Sequence, residues 1–371
     1  MTRREILSYY GSQGDRVALL FPASYMKLVG PLAFDLEAFD GNLPSFILNP
    51  YSWTKIANII FIDSPVGTGF SYATTSQAYN NSNDTKSAEH NYSFLRKWLL
   101  NHPEFVKNRL YIAGDSYGGK ITPMVALEIA KGNEAGLEPR MLLQGYIVGN
   151  SRTDGNQDDN QKLPYAHRMA LVSDEYFELA KSSCNGEYVN PDPDNIACLY
   201  ALRLVNECTS HLSEVHILEP KCKFMSPRPN VSRPGQLFLE DDPVDLLSLS
   251  KQEQPWCRNY NYVPSYVWAN NETVQEALQI RQGTITDWER CNGSLSYDED
   301  VESVFKHHQL LSEKGFQALG AGHTAPEYKP KQCFVMIKRC VTSSALSLIP
   351  TDYESRTKKH LRGKKGSPSD C

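Results

Sequence analysis

Between residues 56 and 150 the chain alternates two hydrophobic periods, and no other feature of the sequence narrows its fold as far. Ile56 to Ile62 is a short apolar run, broken by Asn58 and closed by the turn Asp63-Ser64-Pro65-Val66-Gly67, so it reads as a buried strand. From Ser87 to Leu100 the apolar residues Ala88, Tyr92, Leu95, Trp98 and Leu99 keep the spacing of one helix face, and His102-Pro103 stops the run. Arg109 to Ala113 returns to a strand, Ile121 to Ala130 to a helix followed by Gly132-Asn133, and Leu142 to Val148 to a third strand. Strand-helix-strand-helix-strand requires crossover connections, and therefore a parallel sheet with helices over its faces.

The pattern weakens beyond Asn150. The chain has nine cysteines, none before Cys184 and five between Cys184 and Cys257, which marks a disulfide-stapled insertion. Residues 151–300 are therefore expected to form a cap, with a flexible loop at 226–254 where Pro227, Pro229, Pro234, Pro243 and the acidic Glu240-Asp241-Asp242 gather. The core pattern resumes over 301–342 as a helix from Val301 to Ser312, a strand from Gly315 to Leu319 and a helix from Lys331 to Val341. Residues 1–29 are set apart as a divergent segment, 30–150 as the first part of the core, and 343–371 as a solvated basic tail.

With 38 Lys+Arg against 43 Asp+Glu the formal charge is −5, which removes the footprint of a general nucleic-acid binder. No apolar run approaches the length of a membrane span. The cysteines lack CxxC spacing and the histidines are not interleaved with them, so no metal site is expected. Sequons begin at Asn80, Asn83, Asn91, Asn230, Asn271 and Asn292, and together with the cysteines they point to the secretory pathway. The start Met1-Thr2-Arg3-Arg4-Glu5 lacks the apolar region of a signal peptide.

The sharpest chemical signal is Gly114-Asp115-Ser116-Tyr117-Gly118-Gly119, a G-x-S-x-G between the strand ending at Ala113 and the following helix. Small residues on either side allow the sharp turn that lifts a serine hydroxyl above the sheet, with the Tyr117 amide and the helix N-terminus placed to stabilise an oxyanion. A serine hydroxyl needs a base, and in chain order the candidate is His323 in Gly320-Ala321-Gly322-His323-Thr324-Ala325-Pro326, after a strand and before a helix. His102, His307 and His308 are expected at the surface.

The chain resembles the plant serine carboxypeptidase-like proteins. The resemblance is carried by Gly30-Pro31-Leu32, Asn49-Pro50-Tyr51-Ser52-Trp53, the segment Ile62 to Tyr72, Gly114-Asp115-Ser116-Tyr117, Gly149-Asn150 and Gly322-His323-Thr324-Ala325-Pro326. It implies an α/β-hydrolase fold with a disulfide-containing cap, a secreted or vacuolar location, glycosylation, no cofactor, a monomer, and Ser116 and His323 as triad members. Members of that family either remove a C-terminal residue from a peptide or move an acyl group from a glucose ester to an alcohol. Asp115 is the substrate-binding residue by the same resemblance; Asp rather than Glu there, and Ile217-Leu218-Glu219-Pro220, fit the acyltransferase-like branch. The implied disulfides are Cys184–Cys198 and Cys222–Cys257.

Three departures point to an incomplete core and an impaired enzyme. The family's Gly-Gly-Pro-Gly-Cys segment, source of a second oxyanion amide, is absent before Gly30, and the loss of one such donor typically costs about 10²–10³ in rate. Cys291 is expected to lose its disulfide partner with that segment. Leu319 runs straight into the Gly-His motif where the family has a Gly-Asp loop, so the triad acid is missing, a loss on the order of 10⁴ in the worked serine-protease case. Asp287, Asp298 and Asp300 precede the strand, and Glu327 follows the histidine on the wrong side. After Arg339 the chain leaves the family pattern.

Overall fold

A computed structural model describes residues 17–22, 26–80, 82–213, 216–219, 221, 258–291, 293–322 and 325–342. Its centre is a five-stranded sheet of β1 (Val17–Pro22), β4 (Ala57–Ile62), β6 (Leu110–Asp115), β7 (Leu143–Gly149) and β9 (Gln317–Ala321), in the order β4-β1-β6-β7-β9. Every pairing is parallel. Two short strands, β2 (Leu32–Phe34) and β3 (Phe46–Leu48), form a separate antiparallel pair, and β5 (Ser82–Asn83) pairs with β8 (Tyr297–Asp298).

Alternation along the strands divides the core in two. Ile60, Leu110, Ile112 and Tyr146 face α2 (Asp84–Asn101), α3 (Tyr117–Glu134) and α10 (Phe305–Glu313), meeting Leu95, Trp98, Val125, Ile129 and Leu311. Ile59, Phe61, Tyr111, Ala113 and Ile147 face the other way, against Val29 of α1 (Met26–Val29), Trp53, and Cys333, Ile337 and Val341 of α12 (Pro330–Thr342). Burial of both faces is what an all-parallel sheet needs.

The strand missing from the sequence reading is β1. It lies inside the segment set apart as divergent, yet occupies the middle of the sheet, in register with β4 from Val17↔Ala57 to Pro22↔Ile62. The run Val17-Ala18-Leu19-Leu20-Phe21, closed by Pro22, was the available signal. The expected helix from Val301 starts later, at Phe305. Residues 301–304 are held by other bonds: Val301 N–H donates to Asp84, Ser303 bridges Asp154, and Val304 N–H donates to the Thr153 carbonyl.

Beyond β7, α4 (Gly155–Asn160), α5 (Lys162–Arg168), α6 (Asp174–Cys184) and α7 (Ile196–Thr209) build the cap around Leu163, Val172, Ala180, Ala201 and Val205. Cys184 is disulfide-bonded to Cys198, joining the end of α6 to the first turn of α7. Glu187 holds the turn after α6 to α4; hydrogen bonds from the Asn190 amide and then from Asn156 and Asn160 bring its carboxyl down to about 2. Two more helices, α8 (Val263–Ala269) and α9 (Glu272–Ala277), follow, and α11 (Ala325–Tyr328) precedes α12. Cys222, Cys257, the loop 226–254 and the tail 343–371 lie outside the described residues. Among the described residues, no helix is long and apolar enough to cross a membrane.

Candidate active site

The chain runs from β1 to β4 on one side of the sheet and then to β6 on the other, so strand order reverses beside β1. In open α/β sheets the crevice at the carboxyl ends of the strands, at such a reversal, is where ligands bind. Ser116 stands there, one residue beyond β6.

Its backbone has φ 55° and ψ −124°, a conformation that few residues other than glycine adopt. Three backbone bonds hold it. The Ser116 amide donates to the Gly149 carbonyl at 2.9 Å, and the Ser116 carbonyl accepts from Gly119 N–H at 3.1 Å and Arg152 N–H at 3.0 Å. The hydroxyl makes no cap bond to α3, and the residue is exposed. Gly114 is required by close approach: a Cβ there would stand 2.4 Å from both the Gly118 carbonyl oxygen and Thr122 Oγ1. The elbow read from sequence is thus present, with Tyr117 as the first residue of α3.

Ser116 opens on a cavity of about 500 Å³. Ile62, Ile112, Ile121, Val125 and Leu295 supply apolar wall; Asp115, Tyr117, Ser87, Asn91, Tyr297 and Glu299 supply polar or amphipathic wall. Asp115 is buried, its carboxylate packed over Gly149, where an added Cβ would lie 2.1 Å from Oδ1. The segment from Asp63 to Ser71, which borders the cavity at Ser64 and Pro65, is closed by its own bonds: Phe70 N–H donates to the Asp63 carboxylate and Ser71 Oγ to the Asp63 carbonyl. Burial pushes the Asp63 carboxyl up to about 6, against the Phe70 bond that lowers it.

His323 lies outside the described residues. The sheet places its flanking chain: β9 ends at Ala321, paired with Gly149 of β7, and Gly149 pairs with Asp115 of β6. The acids weighed as substitutes are committed elsewhere. Asp287 accepts from the Tyr266 hydroxyl at 2.7 Å and Asp300 from the Thr85 amide at 3.1 Å, while Asp298 lies in β8 beside Asn83. Glu327 is clamped by Arg258, which also binds Glu219 at 3.0 Å and sits over the Tyr328 ring.

The other histidines correct the expectation of surface positions. His308 Nδ1 is 2.6 Å from the buried Tyr146 hydroxyl, His307 is half-buried, and His102 stacks on Trp98 with centroids 4.2 Å apart. Of the sequon asparagines, Asn80 is exposed, while Asn83 and Asn271 accept capping bonds at the starts of α2 and α9. Asn91 is half-buried and lines the cavity. Asn230 and Asn292 lie outside the described residues. Sequence reasoning missed the Asp84–Lys120 pair beneath Tyr117 and the Arg258 clamp, since neither follows a period or a motif.

A family model described as serine carboxypeptidase matches residues 24–319. Serine carboxypeptidase-like 2 of Arabidopsis thaliana is 40% identical over 290 residues, covering 78% of this chain and 59% of that protein. Serine carboxypeptidase-like 19 of the same plant is 39% identical over 294 residues, covering 78% and 62%. This chain therefore spans about three-fifths of the length of these relatives. The crystal structure of Kex1(delta)p, a prohormone-processing carboxypeptidase from Saccharomyces cerevisiae, superposes with a TM-score of 0.55 at 19% identity, over 83% of this chain and 65% of that one, and identifies the α/β-hydrolase fold. With residues 24–319 matched by the family model and 78% of its length aligned to relatives about 40% identical, the chain belongs to the serine carboxypeptidase family.

Proposed function

We propose that Ser116 is the nucleophile of an acyl-transfer site of the acyltransferase-like branch, taking its acyl group from an ester donor such as a glucose ester. The observation that carries this reading is the serine itself, held in the elbow conformation at the strand-order reversal and opening on a largely apolar cavity. Ser116 Oγ attacks the ester carbonyl, the bond to the leaving alcohol breaks, and the serine proton passes through His323 to that alcohol; an acceptor alcohol then reverses the sequence. The Tyr117 amide receives the oxyanion. Asp115 touches substrate from the cavity wall, and the protein works as a secreted or vacuolar monomer.

Support for His323 comes from reach. Parallel strands lie about 4.8 Å apart, so Ala321, two strands from Asp115, stands roughly 10 Å from it, a gap that two residues and an imidazole can span. The same geometry favours a second reading, of a weakened enzyme, because every acid weighed as a substitute for the triad carboxylate is bonded elsewhere or lies in β8.

A fluorophosphonate probe tests the proposal, since it labels a serine that a formed site has activated. Labelling of wild type that disappears in Ser116→Ala and falls at least about 10³-fold in His323→Ala supports it. Wild-type protein that is folded and unlabelled overturns it. Transfer to alcohols against hydrolysis of blocked dipeptides then separates the acyltransferase from the carboxypeptidase.

A further inference from the structure

Below Tyr117 lies a charge that the chemistry above does not use. Asp84, the first residue of α2, is fully buried at 0% exposure, and Lys120, in the first turn of α3, is 1% exposed. Lys120 Nζ stands 3.1 Å from Asp84 Oδ2. Three further donors converge on the same carboxylate: the Tyr117 hydroxyl at 2.6 Å and the Tyr297 hydroxyl at 2.8 Å, both on Oδ1, and the Val301 amide at 3.1 Å on Oδ2. Four donors on two oxygens satisfy the acceptor capacity of a carboxylate. The two tyrosine rings meet edge to face at 5.7 Å, and Lys120 Nζ lies 5.3 Å from the centre of the Tyr117 ring.

The donors come from two segments that the active site needs in place. Tyr117 and Lys120 lie in the first turn of α3, the helix that follows Ser116, and Tyr297, four residues before Val301, lines the cavity together with Leu295 and Glu299. A buried ion pair is weak evidence for stability, because its desolvation offsets much of its attraction. Its value is geometric, since a carboxylate with four fixed donors admits one arrangement of them.

We propose that Asp84 is a positioning residue of the active site, locking the first turn of α3, and with it the Tyr117 amide, against Ser116 through the Tyr117 hydroxyl and Lys120. The inference rests on the acyl-transfer reading for its chemical consequence, while its structural consequence can be read without turnover.

Two variants test it. Tyr117→Phe removes one donor and keeps the ring and the amide; Asp84→Asn with Lys120→Met removes the charges together, which avoids stranding one of them. Two measurements are made on each, hydrogen exchange of the peptide covering residues 114–122 and the fluorophosphonate reaction resolved into probe affinity and maximal labelling rate. Both variants are expected to speed exchange in that peptide about tenfold while peptides of β4 and β7 stay as in wild type, and to lower the maximal labelling rate about tenfold with probe affinity within twofold. Unchanged exchange in 114–122 overturns the proposal, whatever the labelling result. A rate that holds while only the melting temperature drops also overturns it, because the pair is then merely structural. Should wild type fail to label, the acyl-transfer reading falls and the exchange measurement alone decides the role of Asp84.

Discussion

Ser116 keeps a backbone conformation that costs of order 1–3 kcal/mol in a residue with a Cβ, and the neighbouring atoms show what enforces it. The Gly149 carbonyl and the Gly119 and Arg152 amides fix the peptide on either side, while Gly114 lets the first turn of α3 press onto the end of β6. A methyl group at Gly114 would meet backbone at Gly118 and the Thr122 hydroxyl, which is itself bonded to the Gly118 carbonyl. Neither can retreat without moving α3. Gly114→Ala is therefore expected to lower stability by about 1–3 kcal/mol and to abolish labelling of Ser116. Urea unfolding checks the first part, and a midpoint equal to that of wild type would show that the elbow is looser than its contacts imply.

At the scale of elements, α6 and α7 have a small core of their own and one covalent tie. Cys184–Cys198 closes a loop with a sequence separation of 14, worth about 3 kcal/mol in the chain-entropy account. Replacing both cysteines by serine should raise hydrogen exchange across 174–209 while the peptides of β6 and β7 stay protected; equal protection in both proteins would mean that helix packing alone carries the cap. Most elements were legible because their periods were clean: β4, α2, β6, α3 and β7 fall within a few residues of their expected limits. The exceptions have physical causes. β1 lay among residues that match no family motif, and a strand that fills the middle of a sheet reads only as a short apolar run. Residues 301–304 have helical spacing, but Val301 gives its amide to Asp84 and Val304 to Thr153, a tertiary choice that no local window contains. The elbow was legible as a word in the sequence, while His323 lies outside the described residues. The Asp84 hub was not, because its members lie at 84, 117, 120, 297 and 301 and only the fold brings them together.

Over the whole molecule, proton linkage sets two opposing slopes of stability against pH. Burial lowers His307 and His308 below the ordinary histidine value of 6.5, so each is held neutral in the fold. The unfolded chain takes up those protons first, and their contribution, complete above 6.5, is lost as pH falls through the lowered folded values. Asp63 works the other way. Its carboxyl is raised from 3.8 to about 6, so the folded state takes up that proton first; the contribution is complete below 3.8 and is lost as pH rises through 6. At neutral pH the buried carboxylate then costs up to about 3 kcal/mol. Asp63→Asn keeps an acceptor for the Phe70 amide and removes that cost. The variant is expected to be more stable than wild type at pH 7.5 by as much as about 2–3 kcal/mol. The advantage should narrow steadily below pH 6 and vanish near 4, leaving the variant with the steeper acid loss that the histidines impose. Urea unfolding at pH 7.5, 6 and 4.5 measures this directly. Parallel curves for the two proteins would show that Asp63 titrates as an ordinary carboxylate, with the segment from Asp63 to Ser71 open to water beside the cavity at Ser116.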